Sequence, residues 1–392
     1  MWIYSQQSAE GQEKMKIRAA VLERVGGPLV VREVDLQAPQ SGEVLVKIAA
    51  CGVCHSDWHL VTGETKHPLP AVLGHEGAGV IAEVGQGVFS VKVGDHVALN
   101  WAPYCGECFY CIRGKVNLCE AYVGPMWAGT MQDGTTRLSE NGNPIFHYCG
   151  LACLAEYVVV PAVSCVVMPP TLPHEIAAVI GCAVTTGIGS VLNTAKVEPD
   201  SSVVVFGAGG VGLSTVMGAV LAGATTIIAV DRFDSRLEAA KEFGATHTLV
   251  SGTNTIAEIR ALTGGRGEDY TFEAIGNPAV QEQCLEAVRP GGEVIFSGLS
   301  AMGSSTNLPG AVLVRQEKTV KGSYYGTANP PLDFVKFAEL YGNGQLPLDQ
   351  LISKRYTLDQ VNEAYADMLN GATRRGVICF LGESINKDGA RG

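Results

Sequence analysis

Short apolar stretches separated by turn residues dominate the first part of the chain and return near residue 160. Gly26-Gly27-Pro28 and Gly94-Asp95 are strong turn signals between them. The predicted strands are Arg18–Leu22, Glu43–Ala50, Ala78–Val84, His96–Leu99, Glu156–Val160 and Cys165–Met168. Residues 101–148 read as irregular. The pattern predicts a β-rich, partly barrel-like domain.

From Pro173 onward the apolar positions change to alternating strand and helix. The predicted helices are Glu175–Ile180, Thr185–Ala195, Val211–Leu221, Ser235–Phe243 and Leu358–Asn370. The predicted strands are Val203–Phe206, Thr226–Val230, Thr248–Val250, Tyr270–Ala274, Val294–Ser297 and a final Val377–Leu381. Short apolar strands alternating with helices predict an α/β fold with a doubly wound parallel sheet.

The two patterns divide the chain. We expect an N-terminal extension over 1–16, with polar residues from Ser5 to Lys14. A catalytic domain is predicted over 17–183 and 325–392, because the last strand returns to the first domain. The α/β domain, predicted over 184–324, is then an insertion.

Composition narrows the class of protein. Of 392 residues, 46% are hydrophobic and 17% charged, which indicates a folded globular enzyme. A net charge of -11 argues against nucleic-acid binding, which needs a basic face. The stretch over 202–220 is interrupted by glycines, and we expect no membrane span and a cytoplasmic location. Twelve cysteines in so long a chain suggest metal binding rather than disulfides.

A glycine-rich turn marks the start of the α/β domain. Its residues are Gly207, Ala208, Gly209, Gly210, Val211 and Gly212, directly after a predicted strand and at the start of a helix. Such a turn brings backbone N–H groups close to a pyrophosphate. Asp231 ends the next strand, where a carboxylate accepts ribose hydroxyls and repels a 2′-phosphate. The turn predicts NAD, and the neighbouring Arg232 softens the preference over NADP.

Four cysteines lie within fifteen residues of one another. They are Cys105, Cys108, Cys111 and Cys119. Four thiolates close a tetrahedral zinc site and leave no room for substrate, so this site is predicted to be structural. A redox pair or an iron–sulfur centre are the alternatives.

Cys54, His75 and Cys182 lie far apart in sequence, each beside glycines. Three ligands leave the fourth position of zinc open, as catalytic sites do. Taken singly, Cys182 is equally a buried small side chain and His75 a core histidine. Glu76 adjoins the set as an outer or exchanging ligand, and Asp57 is placed to fix a ligand imidazole.

Ser56 and His59 follow Cys54 closely. A hydroxyl and an imidazole in this order are suited to carry a proton from a buried alcohol to solvent. A solvated surface histidine is the alternative for His59.

Together these motifs resemble the zinc-dependent medium-chain alcohol dehydrogenase family, near its liver-type and glutathione-linked formaldehyde dehydrogenase branch. The resemblance covers about residues 17–382 and includes GHEGAG at 74–79, the four-cysteine segment, GAGGVG and the loop 129–137. It implies a Rossmann domain inserted in a GroES-like catalytic domain, with two zinc ions and NAD. It also implies Arg375 near the cofactor phosphates and Arg236 on the adenosine ribose.

Two positions depart from that family. His55 stands where many relatives have an arginine on the pyrophosphate, and Val123 replaces the arginine that binds a glutathione adduct. The predicted substrate pocket holds Trp101, Met126, Trp127 and Tyr148, although each of these is equally a packing residue.

The resemblance implies reversible oxidation of primary or secondary alcohols, with zinc as Lewis acid and hydride passing to the nicotinamide. The apolar pocket favours medium-chain or aromatic alcohols. A glutathione-dependent formaldehyde dehydrogenase, a polyol dehydrogenase and an NAD-binding protein without turnover are the alternatives. A homodimer or homotetramer is expected, with Gly291–Leu299 either extending a sheet between subunits or lying inside it.

Overall fold

The structure is a computed structural model that describes residues 14–380. Most of the predicted extension 1–16, and Leu381 of the predicted last strand, lie outside the described residues. The first strand begins at Lys14, three residues before the predicted start of the catalytic domain. Its residues 14–16 pair with Asp35 to Gln37, which gives them a place in the sheet.

A closed five-stranded barrel forms one side of the catalytic domain. Its strands are β1 (Lys14–Leu22), β2 (Leu29–Gln37), β4 (Ala71–Val72), β7 (Leu138–Glu140) and β8 (Asn143–His147). The reading of 101–148 as irregular is wrong at its end, where β7 and β8 pair. These strands have only three and five residues, too few for a clear alternation.

A seven-stranded sheet adjoins the barrel. Its strands are β3 (Glu43–Gly52), β5 (Gly77–Val84), β6 (His96–Leu99), β9 (Tyr157–Pro161), β10 (Cys165–Val167), β17 (Ile352–Tyr356) and β18 (Arg375–Cys379). Strand β18 pairs antiparallel with β3, with Val377 opposite Gly52. The last described strand therefore returns to the first domain.

Six parallel strands form the second domain. They are β11 (Ser202–Phe206), β12 (Thr226–Asp231), β13 (His247–Val250), β14 (Glu268–Glu273), β15 (Val288–Phe296) and β16 (Thr319–Gly322), in the order β13-β12-β11-β14-β15-β16. This order is that of the Rossmann fold, with its ligand crevice between β11 and β14. Strand β15, which contains most of Gly291–Leu299, pairs on both sides and is an interior strand.

Eleven helices accompany the sheets in the described residues. They are α1 (His55–Thr62), α2 (Glu120–Ala128), α3 (His174–Ala195), α4 (Gly210–Ala222), α5 (Asp234–Glu242), α6 (Thr255–Leu262), α7 (Pro278–Ala287), α8 (Gly310–Gln316), α9 (Pro330–Gly342), α10 (Leu348–Leu351) and α11 (Val361–Leu369). Helix α2 also corrects the reading of 101–148. It contains Pro125 and Gly124, which weaken the helical signal of the sequence.

Helix α3 joins two predicted helices into one. The helix widens into π turns at Ile180–Val184 and Ser190–Ala195, where glycines and threonine had suggested a break. It packs closely on α4, since a Cβ at Gly187 would lie 2.4 Å from the Val211 carbonyl oxygen. The predicted domain boundary between 183 and 184 falls inside this helix.

Helix α3 is also an apolar stretch long enough to bear on the expectation of no membrane span. Its 22 residues have a mean hydropathy of 1.7, which by length and composition alone is enough to cross a membrane. In the structure 89% of that stretch is buried within the protein. Core helices of folded domains meet the same criteria, so the stretch is weak evidence for a membrane span.

Candidate active site

Three separate elements bring the predicted open ligand set together. Cys54 precedes α1 directly after β3, His75 lies in the turn between β4 and β5, and Cys182 lies in the first π turn of α3. Their donor atoms and a carboxylate oxygen of Glu76 all lie within 4.8 Å of one another. All four residues are buried. A π turn offsets side chains from the regular helical register and is frequent at functional sites.

Two glycines leave the space that this cluster needs. A Cβ at Gly52 would lie 1.9 Å from Oε2 of Glu76, so a larger residue there would push out the carboxylate. Gly74 has φ +90°, a conformation that other residues rarely adopt. Glycine is therefore required at position 52 to leave room for the carboxylate, and at position 74 for the backbone conformation.

Asp57 fixes the orientation of His75. Its Oδ1 lies 3.2 Å from Nδ1 of the imidazole and accepts a 2.8 Å hydrogen bond from the Gly74 backbone N–H. Nε2 of His75 is buried and has no hydrogen-bond partner among the described residues. A buried nitrogen without a partner is costly unless a ligand occupies it, and it points to a metal.

The charges of the cluster favour a cation. A hydrogen bond from Cys182, aided by the charge of His75, holds the pKa of Cys54 well below its usual range despite burial. Burial opposes the imidazolium of His75, but Asp57 and Cys54 outweigh it and raise the pKa. Two sulfur atoms, one imidazole nitrogen and a carboxylate oxygen are ligands that zinc takes in proteins. The residues present fit zinc, and its binding would release protons.

Glu76 and Arg375 connect the cluster to the cofactor cleft. They form a buried ion pair, and burial raises the pKa of Glu76 to about 7 against the opposing charge of the guanidinium. Arg375 lies in β18, and a Cβ at Gly210 would lie 3.0 Å from its Nη1. The predicted phosphate-side arginine therefore reaches both the metal cluster and the glycine-rich turn.

The four-cysteine segment closes on itself. Sγ–Sγ distances are 3.4 Å for Cys108–Cys111, 3.6 Å for Cys105–Cys119, 3.9 Å for Cys108–Cys119 and 4.0 Å for Cys105–Cys111. These distances exceed a disulfide bond of about 2 Å. Four sulfur atoms at about 2.3 Å from one zinc ion would be about 3.8 Å apart, so the segment fits a closed zinc site.

Ser56 and His59 lie on one face of α1, three residues apart. The Ser56 hydroxyl is 3.7 Å from Sγ of Cys54, and the His59 side chain is 12% exposed. His55 begins the helix at its exposed side, with its ring centroid 6.1 Å from that of His59. The predicted relay thus runs from the metal cluster towards solvent.

Aromatic side chains surround the cluster. The rings of Tyr148 and Trp101 lie 5.7 and 6.5 Å from His75 between centroids, and the Tyr148 hydroxyl donates to the Ser56 carbonyl at 2.8 Å. Tyr324 and Tyr325 lie 5.3 and 4.1 Å from Trp101. No sequence pattern pointed to Tyr324 and Tyr325, which come from the far end of the Rossmann domain.

The other two predicted pocket residues lie on α2. Met126 is buried and lines a small cavity of about 20 Å³ together with Cys149. Trp127 is half-buried on the same helix, and Val123 is 42% exposed there. Helix α2 packs on the turn that holds Tyr148. Met126 therefore lies beside the turn that carries Tyr148.

The glycine-rich turn is built for close approach. Gly207 has φ +94°, and a Cβ at Gly212 would lie 1.6 Å from the Gly207 carbonyl oxygen. Beside Gly209 there is open space within 4 Å, where a ligand has room. Asp231 accepts the Ala208 N–H at 2.8 Å, which ties the turn to the end of β12.

Arg236 lies beside this turn. Its Nη1 is 3.8 Å from Oδ2 of Asp231, and its Nη2 donates to the Met368 carbonyl at 3.1 Å. The carboxylate therefore faces the cleft with a cation behind it. The arrangement suits an adenosine ribose.

Comparison with known proteins agrees with this geometry. Residues 40–170 match the alcohol dehydrogenase GroES-like domain, and residues 210–342 match the zinc-binding dehydrogenase family. An NDMA-dependent alcohol dehydrogenase from Amycolatopsis methanolica is 40% identical over 367 residues, covering 93% of this chain and 99% of that protein. An S-(hydroxymethyl)glutathione dehydrogenase from Escherichia coli is 41% identical over 370 residues, covering 93% and 100%.

A solved structure is similar over nearly the same range. The crystal structure of benzyl alcohol dehydrogenase from Acinetobacter calcoaceticus has a TM-score of 0.89 and 34% identity. The match covers 94% of this chain and 100% of that one.

Proposed function

This chain belongs to the zinc-dependent medium-chain alcohol dehydrogenase family and oxidises alcohols, and we propose that it transfers hydride reversibly from aromatic or medium-chain alcohols to NAD. One observation carries the proposal. The donor atoms of Cys54, His75, Glu76 and Cys182 converge within 4.8 Å. Arg375 joins this cluster to the glycine-rich turn, so metal and cofactor sites are adjacent.

Zinc would be held by Cys54, His75 and Cys182, where it supplies the Lewis acidity that makes an alcohol hydroxyl more acidic. Asp57 keeps Nε2 of His75 directed into the cluster by holding Nδ1. Glu76 and Arg375 balance each other's charge in the buried wall. A second zinc in the four-cysteine segment is proposed to be structural, because all four of its ligands come from the protein.

NAD is proposed over NADP because of Asp231. The carboxylate ends β12 at the cleft and is 6% exposed, so a 2′-phosphate beside it would be repelled. The guanidinium of Arg236, 3.8 Å away, weakens this repulsion. We therefore expect a preference for NAD rather than an absolute choice.

The proton of the alcohol is proposed to leave along α1. The Ser56 hydroxyl is the polar group nearest Cys54 on this helix, at 3.7 Å, and His59 follows one turn later. The Tyr148 hydroxyl donates a hydrogen bond to the Ser56 carbonyl. This contact holds the Ser56 backbone and so fixes the direction of the Ser56 hydroxyl. His59 accepts the proton and passes it to solvent.

The substrate class follows from the walls around the cluster. Trp101 and Tyr148 present ring surfaces near His75, and Tyr324 packs against Trp101. Each of these side chains carries one polar group on a large apolar ring. Such walls favour an apolar substrate and prefer aromatic rings at edge-to-face angles. The similarity to a benzyl alcohol dehydrogenase supports the same class.

Glutathione-dependent oxidation of formaldehyde is the second proposal, favoured by the 41% identity to an S-(hydroxymethyl)glutathione dehydrogenase. Against it stands Val123, an uncharged and exposed side chain where a glutathione carboxylate would need a cation. A polyol dehydrogenase is disfavoured by the apolar walls. Activity that needs added glutathione would identify the second function.

We also propose a homodimer or homotetramer in the cytoplasm. Strand β16 pairs on one side only in the described chain and offers its other edge to a partner. All twelve cysteines lie in the described range and are free thiols, which fits a reducing compartment. Sedimentation velocity would give two or four times the 41.2 kDa chain, and a stable single-chain species would contradict the assembly.

The experiment that tests the function measures NADH formation over a panel of alcohols before and after chelation, with zinc counted per chain. We expect two zinc ions and chelator-sensitive oxidation of benzyl or medium-chain alcohols. One zinc and no turnover with any alcohol, with NAD still bound, would remove the catalytic assignment and leave the four-cysteine site intact.

A further inference from the structure

Glu64 contacts the histidine of the proposed relay. Its Oε2 lies 3.0 Å from Nδ1 of His59, and its side chain is 44% exposed against 12% for His59. The buried Nδ1 has no hydrogen-bond partner within the described residues. The contact is therefore an ion pair in which the carboxylate oxygen does not lie along the N–H bond. The carboxylate thus lies between the imidazole and solvent.

The local chain conformation fixes this contact. Helix α1 ends at Gly63 in the left-handed conformation with φ +82°, and Thr65 N–H then donates back to the His59 carbonyl at 3.0 Å. This return brings residue 64 beside the ring. On the other side, the Met302 N–H from the Rossmann domain donates to the Glu64 carbonyl at 3.3 Å.

We propose that Glu64 is a positioning residue for His59, and this rests on the alcohol oxidation proposed above. Its carboxylate attracts the proton at Nδ1 and so leaves Nε2 as the basic nitrogen. A carboxylate beside one ring nitrogen selects the tautomer and stabilises the imidazolium once a proton is taken up. His59 then returns to the neutral form by losing a proton to solvent.

Other charges act on the neighbouring histidine. The His55 ring lies 6.1 Å from that of His59, and the guanidinium groups of Arg236 and Arg375 act on His55 from the cofactor side. Positive charges on His55 and His59 would repel each other, and Glu64 is the anion in contact with the His59 ring.

The kinetic test compares Glu64→Gln with the wild-type holoenzyme over a range of pH. The amide keeps the shape and loses the charge. We expect the plateau of kcat to fall about 3-fold, because the carboxylate no longer favours the tautomer in which Nε2 is the basic nitrogen. KM for the alcohol should be unchanged.

The His59→Gln background makes the assignment specific. If Glu64 acts through His59, adding Glu64→Gln to that background does not change the plateau of kcat. An equal loss in both backgrounds overturns the proposal. Glu83 is an exposed residue of β5, and Glu83→Gln is the matched control that should behave as wild type.

A second readout needs no turnover. Nitrogen NMR of the ring atoms, assigned with His59→Gln, reports the tautomer of His59 among the eight histidines. We expect the Nδ1–H form in the wild type and loss of that preference in Glu64→Gln. The same tautomer in both proteins would overturn the proposal. Absence of turnover in the wild type would refute the proposed function separately, and the NMR result still decides the role of Glu64.

Discussion

At the scale of single residues, the site depends on side chains that hold other side chains. Asp57 holds His75, Tyr148 holds the Ser56 backbone, and Glu64 contacts His59. Among these only Asp57 was predicted, because it follows Cys54 by three residues and a carboxylate is the usual partner of a ligand imidazole. The contacts of Tyr148 and Glu64 depend on how the chain turns in space.

His59→Ala should slow alcohol oxidation mainly at low pH. Without the imidazole the proton has no base to accept it, whereas hydroxide replaces that base as the pH rises. The measurement is kcat over pH, with imidazole buffer added. We expect imidazole to restore part of the lost kcat. A pH profile equal to that of the wild type would contradict the relay role of His59.

Asp57→Asn should weaken zinc binding in the open site by about 10- to 100-fold. The amide lacks the charge that fixes and polarises the His75 ring. Competition with a fluorescent chelator measures the zinc affinity without turnover. Asp95→Asn, whose carboxylate accepts a backbone N–H in an exposed turn, is the control. Equal zinc affinities for the two variants would contradict the role of Asp57.

At the scale of elements, a chemical signal was easier to predict than short secondary structure. The glycine-rich turn was predicted between strand and helix and lies between β11 and α4. The short strands β7 and β8 and helices α1 and α2 were missed. They are stabilised by pairing and packing with distant segments, which outweighs weak local preferences.

Cys111→Ser should remove the zinc of the four-cysteine segment and leave the other. Cys111 is 7% exposed, and its Sγ lies 3.4 Å from that of Cys108 and 4.0 Å from that of Cys105. A weaker ligand at this position should therefore release the zinc ion. Zinc counted per chain should fall from two to one. Cys165 lies in β10 and belongs to neither ligand set, so Cys165→Ser should retain two zinc ions. Two zinc ions in both variants would refute the structural assignment.

Glu268→Gln should stabilise the protein above neutral pH. Glu268, at the start of β14, is fully buried with neither carboxylate oxygen hydrogen-bonded within the described residues, and burial raises its pKa to about 7. The folded state keeps a proton that the unfolded state loses from about pH 4.5 upward, so stability falls as pH rises through this window.

The glutamine variant has no such charge to bury. At about pH 8 its free energy of unfolding should exceed that of the wild type by about 3 kcal/mol, and at about pH 4 the two should agree. Urea denaturation at both pH values measures this. A difference that is the same at both values would show that the charge is not the cause.

At the scale of the whole molecule, Arg375 links the two domains. The strand that carries it belongs to the catalytic sheet, and its guanidinium contacts both Glu76 and the glycine-rich turn of the other domain. Arg375→Met leaves the Glu76 carboxylate buried without its partner. We expect a loss of about 3 kcal/mol in the free energy of unfolding and a weaker affinity for NAD.

Calorimetry of the apoprotein and titration with NAD measure these two effects. Arg374→Met removes the neighbouring arginine, which pairs with Glu242 at the surface. This variant should change the free energy of unfolding and the affinity for NAD only slightly. If the two variants lose equal stability, the buried pair of Arg375 and Glu76 does not stabilise the fold.

Local sequence patterns were enough to predict the type of chemistry. Two thiols and an imidazole beside glycines, four clustered cysteines and a glycine-rich turn after a strand are local patterns, because metal ligation and phosphate binding require particular side chains and backbone conformations. These patterns predicted the α/β fold with a β-rich catalytic domain, zinc chemistry and a nicotinamide cofactor.

Contacts between residues that are distant in sequence are seen in the tertiary structure alone. The π turn that presents Cys182, the pair Tyr324 and Tyr325 against Trp101, and the contact of Glu64 with His59 involve segments that are separated in sequence or turned by a single glycine. Their positions follow from packing of the whole core, where small shifts in a helix or turn change every contact, and no local pattern encodes them.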